Sequence, residues 1–456
     1  MRGAGRLRQD PADRESGSTR PQTRAPARLA ARRRRVLLAA IVLLALLVRA
    51  AAVHRSNSHA LNIATRLSGD EPEYDGFARN LLNGHWADYP IRGPGYPALL
   101  AVLRVISGGS YDVILYLQAV LGALTVLPAY ALARRIAGDL GGLLCAAGVA
   151  LYWELALGSA YLQSEVLFTP LLLLFLLVLF RAFDRPTSGR WVAAGVCLGA
   201  TAVTRPTMLP LIVPLALLVV FLSRTRRVGL RAAGVLTAAA IVVVLPVTVA
   251  NAVKFHAFVP VATTTGVVWQ GSPAYYDLYR SGRTYTSIWD HELNPAVNGG
   301  HSVATPSGDA YFTRKGLASI RAHPLTYGLY SLQKVGFFWL GHPSADWNNG
   351  TLLDPGSLHL ARPERMLVML DRTVPLVALA AILVLVWRRR RDRELLVIYG
   401  LLASFTALHA ALWAELRLSQ PLAPLLFALI AAALTAAGRS SSGSAKTDPP
   451  PRSGGC

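Results

Sequence analysis

The chain has 456 residues, is 53% hydrophobic and only 16% charged, and has a mean hydropathy of +0.39. More apolar surface is present than one soluble core can hide, so a bilayer must take the remainder. The formal charge of +21 sits in the tails and in short gaps between apolar runs, which is a topology signal rather than the footprint of a nucleic-acid binder.

In chain order, residues 1–35 form a basic leader rich in Arg, Pro, Ser and Gly, expected to be a disordered cytoplasmic tail. Apolar runs able to cross about 30 Å of hydrocarbon lie near 36–53, 113–136, 140–160, 162–183, 190–204, 207–222, 229–253, 371–387, 394–413 and 419–437. About ten transmembrane helices are therefore expected, in an all-α integral membrane protein. The first run reads as an uncleaved signal anchor rather than a signal peptide, because a long basic leader precedes it and Arg49 adjoins the small residues Ala50-Ala51-Ala52. Arg134-Arg135, then Arg181, Arg185 and Arg190, then Arg224 to Arg231, then Arg388 to Arg393 mark alternate gaps as cytoplasmic. Both termini are then cytoplasmic, in the plasma membrane. The expected divisions are a bundle at 36–253 containing an outer loop at 54–112, an ordered outer cap at 254–370 lying on the bilayer, C-terminal spans at 371–437 and a disordered tail at 438–456.

Within the first outer loop, Asp70-Glu71-Pro72-Glu73-Tyr74 precedes Phe77, Ala78, Leu81 and Leu82, and the run stops at Asn83-Gly84. Pro72 suits a first helical turn and Gly84 a stop, so a short amphipathic helix at the membrane surface is expected. Asp70 or Glu71 is there either as an N-cap or as a functional carboxylate. Arg92-Gly93-Pro94-Gly95-Tyr96-Pro97 follows; such a turn either simply enters the next helix or holds one guanidinium still for an oxyanion. Further on come Glu165 after Gln163-Ser164, Arg205 in Thr204-Arg205-Pro206-Thr207, and Glu415-Leu416-Arg417 before Pro421. Any one of these could snorkel harmlessly at a helix end. All fall on the outer side, however, and a mixed patch of acids and arginines there suits a phosphate-bearing lipid and a second polar substrate.

The ten histidines are scattered without ligand spacing, and the three cysteines offer neither a disulfide nor a metal pattern. No His-Glu-x-x-His, nucleophile elbow or phosphate-binding loop is present, which removes support for metalloprotease, serine hydrolase and nucleotide-driven pump readings.

The ordered motifs Asp70-Glu71 with Tyr74, Arg92-Gly93-Pro94-Gly95-Tyr96-Pro97, Ser164-Glu165, Thr204-Arg205-Pro206-Thr207 and Glu415-Leu416-Arg417 resemble the membrane glycosyltransferases of family 39. These type-C enzymes include protein O-mannosyltransferases and the lipid A aminoarabinose transferase. The resemblance runs from about residue 36 to 437 and takes in Trp269-Gln270-Gly271-Ser272 and Ala322-His323-Pro324. It implies a type-C bundle that transfers a sugar, with inversion, from a polyprenyl-phosphate donor to an extracytoplasmic protein, glycan or lipid acceptor. It also implies Asp70 as general base with Glu71 as helper or metal ligand, and Arg92, Arg205 and Arg417 on the donor phosphate. Glu165, Tyr74 and Tyr96 would orient substrate. A divalent metal near Asp70 and Glu71 is compatible with this, but no ligand set demands one. Family members often carry a lysine or arginine followed by two prolines where this chain has Arg92-Gly93-Pro94, and the chain stops soon after the tenth span, without the large soluble domain of some members. The competing class is a lipid-linked sugar flippase or secondary transporter; neither class implies nucleic acid as a partner.

Overall fold

A computed structural model describes residues 24–58, 69–280, 294–341 and 362–443. Of the tails expected to be disordered at 1–35 and 438–456, residues 1–23 and 444–456 lie outside the described residues, as do Trp289 and Trp347 of the outer segment, whereas 24–35 and 438–443 are helical, continuing the first and last helices past their apolar runs.

The described chain is helical throughout, without strands. In order, α1 is Arg24–Ser58, α2 Glu71–Leu82, α3 Gly95–Ile106, α4 Tyr111–Leu124, α5 Val126–Leu151, α6 Trp153–Leu157, α7 Glu165–Asp184, α8 Ser188–Thr204, α9 Ile212–Leu222 and α10 Arg226–Phe255. The cap contributes α11 Val267–Gln270, α12 Pro273–Arg280, α13 Pro306–Ala322 and α14 Pro324–Leu340. The chain closes with α15 Arg362–Arg389, α16 Arg393–Ala411, α17 Leu416–Ser419 and α18 Ala423–Gly443.

Seven helical segments of 19 to 41 residues are long and apolar enough to cross a bilayer, among the described residues. The 41-residue segment, Tyr111–Leu151, is two passes. The chain reverses at Gly138, whose φ of 76° and ψ of −174° suit glycine alone, and the returning limb brings Cys145 Sγ to 3.7 Å from the Ala129 carbonyl. Counted together with α8 of 17 residues and α9 of 11, both shorter than that measure, the described residues hold ten apolar passes, the number the apolar runs lead one to expect. Outward-facing Phe221, Val242, Leu383 and Trp387 stay exposed, while Phe168, Phe175, Phe180 and Phe405 fill the bundle interior. Such a surface is stable only in hydrocarbon. The chain is a multi-pass membrane protein.

The ends of the bundle differ. At one end Asp139 pairs with Arg34 (2.6 Å) and Arg134 (2.5 Å), and Arg135 pairs with Asp184 (2.6 Å) and Glu394 (2.8 Å). α7 begins with Glu165 at the opposite end, about 28 Å away at 1.5 Å per residue. There α2 packs on α3, and α3 on α4 and α8. The structure bears out the Pro72 start and the Gly84 stop (φ 74°) of α2, but its buried face is Glu71, Tyr74, Asp75, Phe77 and Ala78, whereas Leu82 is exposed.

The cap does not simply lie on the surface. Along α14, Tyr327 donates to the Ala411 carbonyl (2.6 Å), Phe338 stacks on His409 (4.9 Å between rings) and Trp339 donates to Thr406 (3.2 Å), so this helix descends beside the end of α16 by about one and a half turns.

Candidate active site

Asp70 stands at the head of α2, yet its side chain makes no capping bond. Its two oxygens instead go to two arginines from distant parts of the chain. Arg92 Nη2 meets Oδ1 at 2.5 Å, and Arg417 Nη2 donates to Oδ2. Arg92 also reaches Glu73 (2.6 Å) and lies over the Tyr74 ring (5.3 Å). Arg417 Nε approaches Glu165 Oε1 at 3.1 Å, and Arg205 Nη1 approaches the same oxygen at 3.3 Å. Neither of these last contacts is aligned as a hydrogen bond: Glu165 Oε1, Arg205 Nη1 and Arg417 Nε are buried with their directional valences unspent.

The five residues Asp70, Arg92, Glu165, Arg205 and Arg417 thus form one continuous chain of ion pairs, although they are spread over 348 positions. Backbone chemistry explains the placement. A Cβ on Gly93 would fall 2.3 Å from the Val203 carbonyl oxygen, and one on Gly95 would fall 2.5 Å from Thr204 Oγ1. The Gly-Pro-Gly turn is therefore pressed directly against the end of α8, setting Arg92 beside the segment that carries Arg205. Arg205 leaves the end of α8 with extended backbone and rests over the Phe168 ring (5.6 Å). Arg417 is placed by α17, whose approach is braced by Trp413 Nε1 donating to Glu415 (2.6 Å) and by Lys334, which donates to the carbonyls of Gly271 (3.0 Å) and Leu412 (3.2 Å). The Trp269-Gln270-Gly271-Ser272 stretch of the cap is in this way tied to the segment leading into Arg417.

Burial alone would raise the Asp70 carboxyl, but Arg417 and then Arg92 overcome it and hold the group well below the usual carboxylate range. Arg92 resists deprotonation despite burial because Asp70, Tyr74 and Glu73 surround it. Glu73 moves the other way: burial raises it more than Arg92 lowers it.

Two assigned residues stand elsewhere. Glu71 turns away from Asp70 and accepts the Leu162 backbone N–H (2.7 Å), and it is 4% exposed. Tyr96 is fully buried; its hydroxyl donates to Gln118 (2.5 Å), and Gln118 donates to the Tyr161 carbonyl (3.3 Å). Both therefore brace residues 161–162, the turn that delivers Glu165, and neither offers a surface to substrate. Tyr74, packed edge-on against Tyr96 (4.9 Å), borders the cluster through Arg92. Sequence reasoning missed Gln118 and Lys334, whose only signal is a polar residue inside an otherwise apolar helix.

A divalent metal does not fit this arrangement. Both Asp70 oxygens are taken by guanidinium groups, Glu71 is spent on Leu162, and no three His, Cys, Asp or Glu side chains gather as a metal site among the described residues.

Residues 90–250 match the family described as dolichyl-phosphate-mannose-protein mannosyltransferase. Over these residues the match agrees with the family-39 resemblance; Asp70-Glu71 and Glu415-Leu416-Arg417 lie outside it. Curated proteins give no match. Among solved structures the chain is similar to the oligosaccharyltransferase AglB from Archaeoglobus fulgidus in complex with an inhibitory peptide and a dolichol-phosphate, at 14% identity and a TM-score of 0.54, covering 90% of this chain and 52% of that one. The Archaeoglobus fulgidus oligosaccharyltransferase in complex with Zn and sulfate gives 16% identity and a TM-score of 0.54, covering 89% of this chain and 50% of that one. ArnT from Cupriavidus metallidurans bound to undecaprenyl phosphate covers more of its own length (91% of this chain, 81% of that one) at 16% identity, but its TM-score of 0.41 is too loose to fix a fold. The chain spans about half the length of the archaeal oligosaccharyltransferase it matches. The fold is type-C glycosyltransferase-like.

Proposed function

We propose that this protein is a membrane glycosyltransferase that moves a sugar from a polyprenyl-phosphate donor to an acceptor outside the cytoplasmic membrane, with inversion at the sugar carbon. The observation that carries this reading is the grip of two arginines, one from the first outer loop and one from the last, on the two oxygens of Asp70.

A carboxylate so held is a poor base, and the guanidinium groups are already matched to oxyanions. A lipid phosphate entering beside Arg92 and Arg417 competes for them, since arginine forks bind phosphate as readily as carboxylate. Asp70 then regains a free oxygen. The acceptor hydroxyl attacks the anomeric carbon while the bond from that carbon to the phosphate oxygen breaks; Asp70 takes the hydroxyl proton, and the arginines hold the departing polyprenyl phosphate. A single in-line displacement inverts the configuration. Glu165, buried between Arg205 and Arg417, fixes the spacing of the two cations. Because Asp70 becomes available only once phosphate has drawn an arginine away, donor binds before acceptor. The arginine-rich end of the bundle faces the cytoplasm and the Asp70 end faces outward, as the positive-inside rule requires.

The test is to incubate purified protein with radiolabelled polyprenyl-phosphate hexoses and pentoses and an extract of cell-envelope acceptors. Labelled covalent product supports the reading. Movement of the lipid-linked sugar across proteoliposomes with no product would replace it with a flippase.

A further inference from the structure

The last carbonyls of a helix lack partners within it, and at the end of α16 three consecutive ones are met by side chains. Ala411 accepts from the Tyr327 hydroxyl (2.6 Å), Leu412 from Lys334 (3.2 Å) and Trp413 from His409 Nδ1 (2.8 Å). Tyr327 and Lys334 both come from α14, and Phe338 of that helix stacks on the His409 ring (4.9 Å). Spacings of seven and four residues put Tyr327, Lys334 and Phe338 on one face of α14. Leu325, Leu329 and Leu332 on its other side are exposed. The cap therefore builds the point where α16 stops and the segment carrying Arg417 begins.

Lys334 is the unusual member of this set. It is completely buried, and no carboxylate meets it among the described residues. Its ammonium is held by the carbonyls of Gly271 (3.0 Å) and Leu412 and lies over the rings of Tyr327 (5.1 Å) and Tyr276 (5.8 Å). Burying a cation with no counter-ion is costly, and an apolar side chain would fill the same space without that cost. What the ammonium adds is a fixed link between two backbones. Gly271 allows the approach, because a Cβ there would fall 1.8 Å from the Leu412 carbonyl oxygen.

We propose that Lys334 is a positioning residue for the donor phosphate. By joining Gly271 to Leu412 it fixes the segment 412–416, and through that segment it sets the Arg417 guanidinium at the reach where it meets Asp70 and Glu165. The identity of the phosphate rests on the transferase reading; the link itself rests on the contacts of Lys334.

The test uses full-length protein in lipid nanodiscs, with radiolabelled undecaprenyl phosphate as the probe. Lys334→Met is expected to weaken binding about ten-fold, the scale of a lost hydrogen bond to a charged group. In an Arg417→Lys background the same change is expected to add less than about two-fold, because both substitutions act on one guanidinium. A merely structural Lys334 predicts an unchanged affinity in the folded fraction, or effects of the two substitutions that multiply in full. Tyr327→Phe removes a single hydroxyl from the same junction and is expected to weaken binding about three-fold, which keeps the test available should Lys334→Met fail to fold. Wild-type affinity in the folded variant, or full multiplication with Arg417→Lys, overturns the inference. If the coupling appears but the wild type transfers no sugar from any polyprenyl-phosphate donor, the transferase reading fails and the positioning role of Lys334 stands. A wild type that binds no undecaprenyl phosphate overturns both.

Discussion

Two aspartates five residues apart, one at the head of α2 and one within it, show how differently one short stretch can spend its carboxylates. Asp75 is 3% exposed and is satisfied by near neighbours in the chain: Arg104 at 2.5 Å, Arg79 at 2.8 Å and the Tyr111 hydroxyl, with Arg104 also lying over the Tyr111 ring at 5.1 Å. These contacts pin α2 to α3 and α4, and nothing in the arrangement is open to a ligand. Asp70 is gripped from across the bundle, remains partly open, and belongs to a cluster that retains buried polar valences. One aspartate ties the outer loop together, and the other holds cations that a second anion could claim.

The sharpest way to break this contrast is to remove each charge in turn. Asp70→Asn is expected to lower transfer at least about 100-fold while leaving the protein folded, because amide replaces carboxylate without a change of shape. Asp75→Asn is expected to act on stability alone, costing about 3 kcal/mol by stranding partly buried Arg104 and leaving turnover per folded molecule unchanged. Thermal inactivation in detergent, paired with radiolabel transfer, reads both. Equal effects in the two assays for the two variants would abolish the distinction.

Arg417→Lys is the next test. A lysine can meet one carboxylate but cannot span Asp70 and Glu165 as a planar fork does. Transfer is expected to fall about 30-fold, roughly 2 kcal/mol, with the donor KM rising and circular dichroism unchanged. An unaltered donor KM would remove Arg417 from the phosphate site.

Why were these arginines legible in sequence when the residues that brace them were not? Hydropathy fixes the passes and the basic gaps fix their order, so Asp70, Arg92, Glu165, Arg205 and Arg417 could be assigned to one end before any contact was known. Even the break between the second and third passes shows as an interruption in the apolar run at Gly138. Partner choice is another matter. Adjacent residues on a helix point about 100° apart, so Asp70 and Glu71 could not both face the cluster, and Glu71 went to Leu162. Tyr96 is the second residue of α3 and is drawn inward by Gln118, a polar side chain within an apolar helix whose contact only packing decides. Asp75 with Arg104 is invisible for the same reason: the pair requires knowing which helices touch.

Acidity sharpens the comparison further. The Asp70 pKa is depressed in the folded protein, so its ion pairs contribute fully above the unfolded carboxylate pKa of about 3.9 and are lost as pH falls towards the folded value. The stability difference between wild type and Asp70→Asn is therefore expected to stay constant from about pH 8 to about pH 5 and to shrink only below about pH 4. A difference that already fades between pH 7 and pH 5 would mean that the arginines do not hold the carboxylate in the free protein.

The smallest effect belongs at the far end of the bundle. Asp139 also carries two arginines, Arg34 at 2.6 Å and Arg134 at 2.5 Å, and so copies the Asp70 pattern in outline. It is 51% exposed, however, and Arg134 is 49% exposed, so water and salt screen what the buried cluster feels in full. Asp139→Asn is expected to change stability by less than about 1 kcal/mol and transfer not at all. The same pairing of one carboxylate with two guanidinium groups would then matter at one membrane face and not at the other. Burial and the reach of the partners across the fold, rather than the ion pair as such, are what separate a site from a topology marker. A loss of transfer in Asp139→Asn comparable to that in Asp70→Asn would show that charge pairing alone had been mistaken for chemistry.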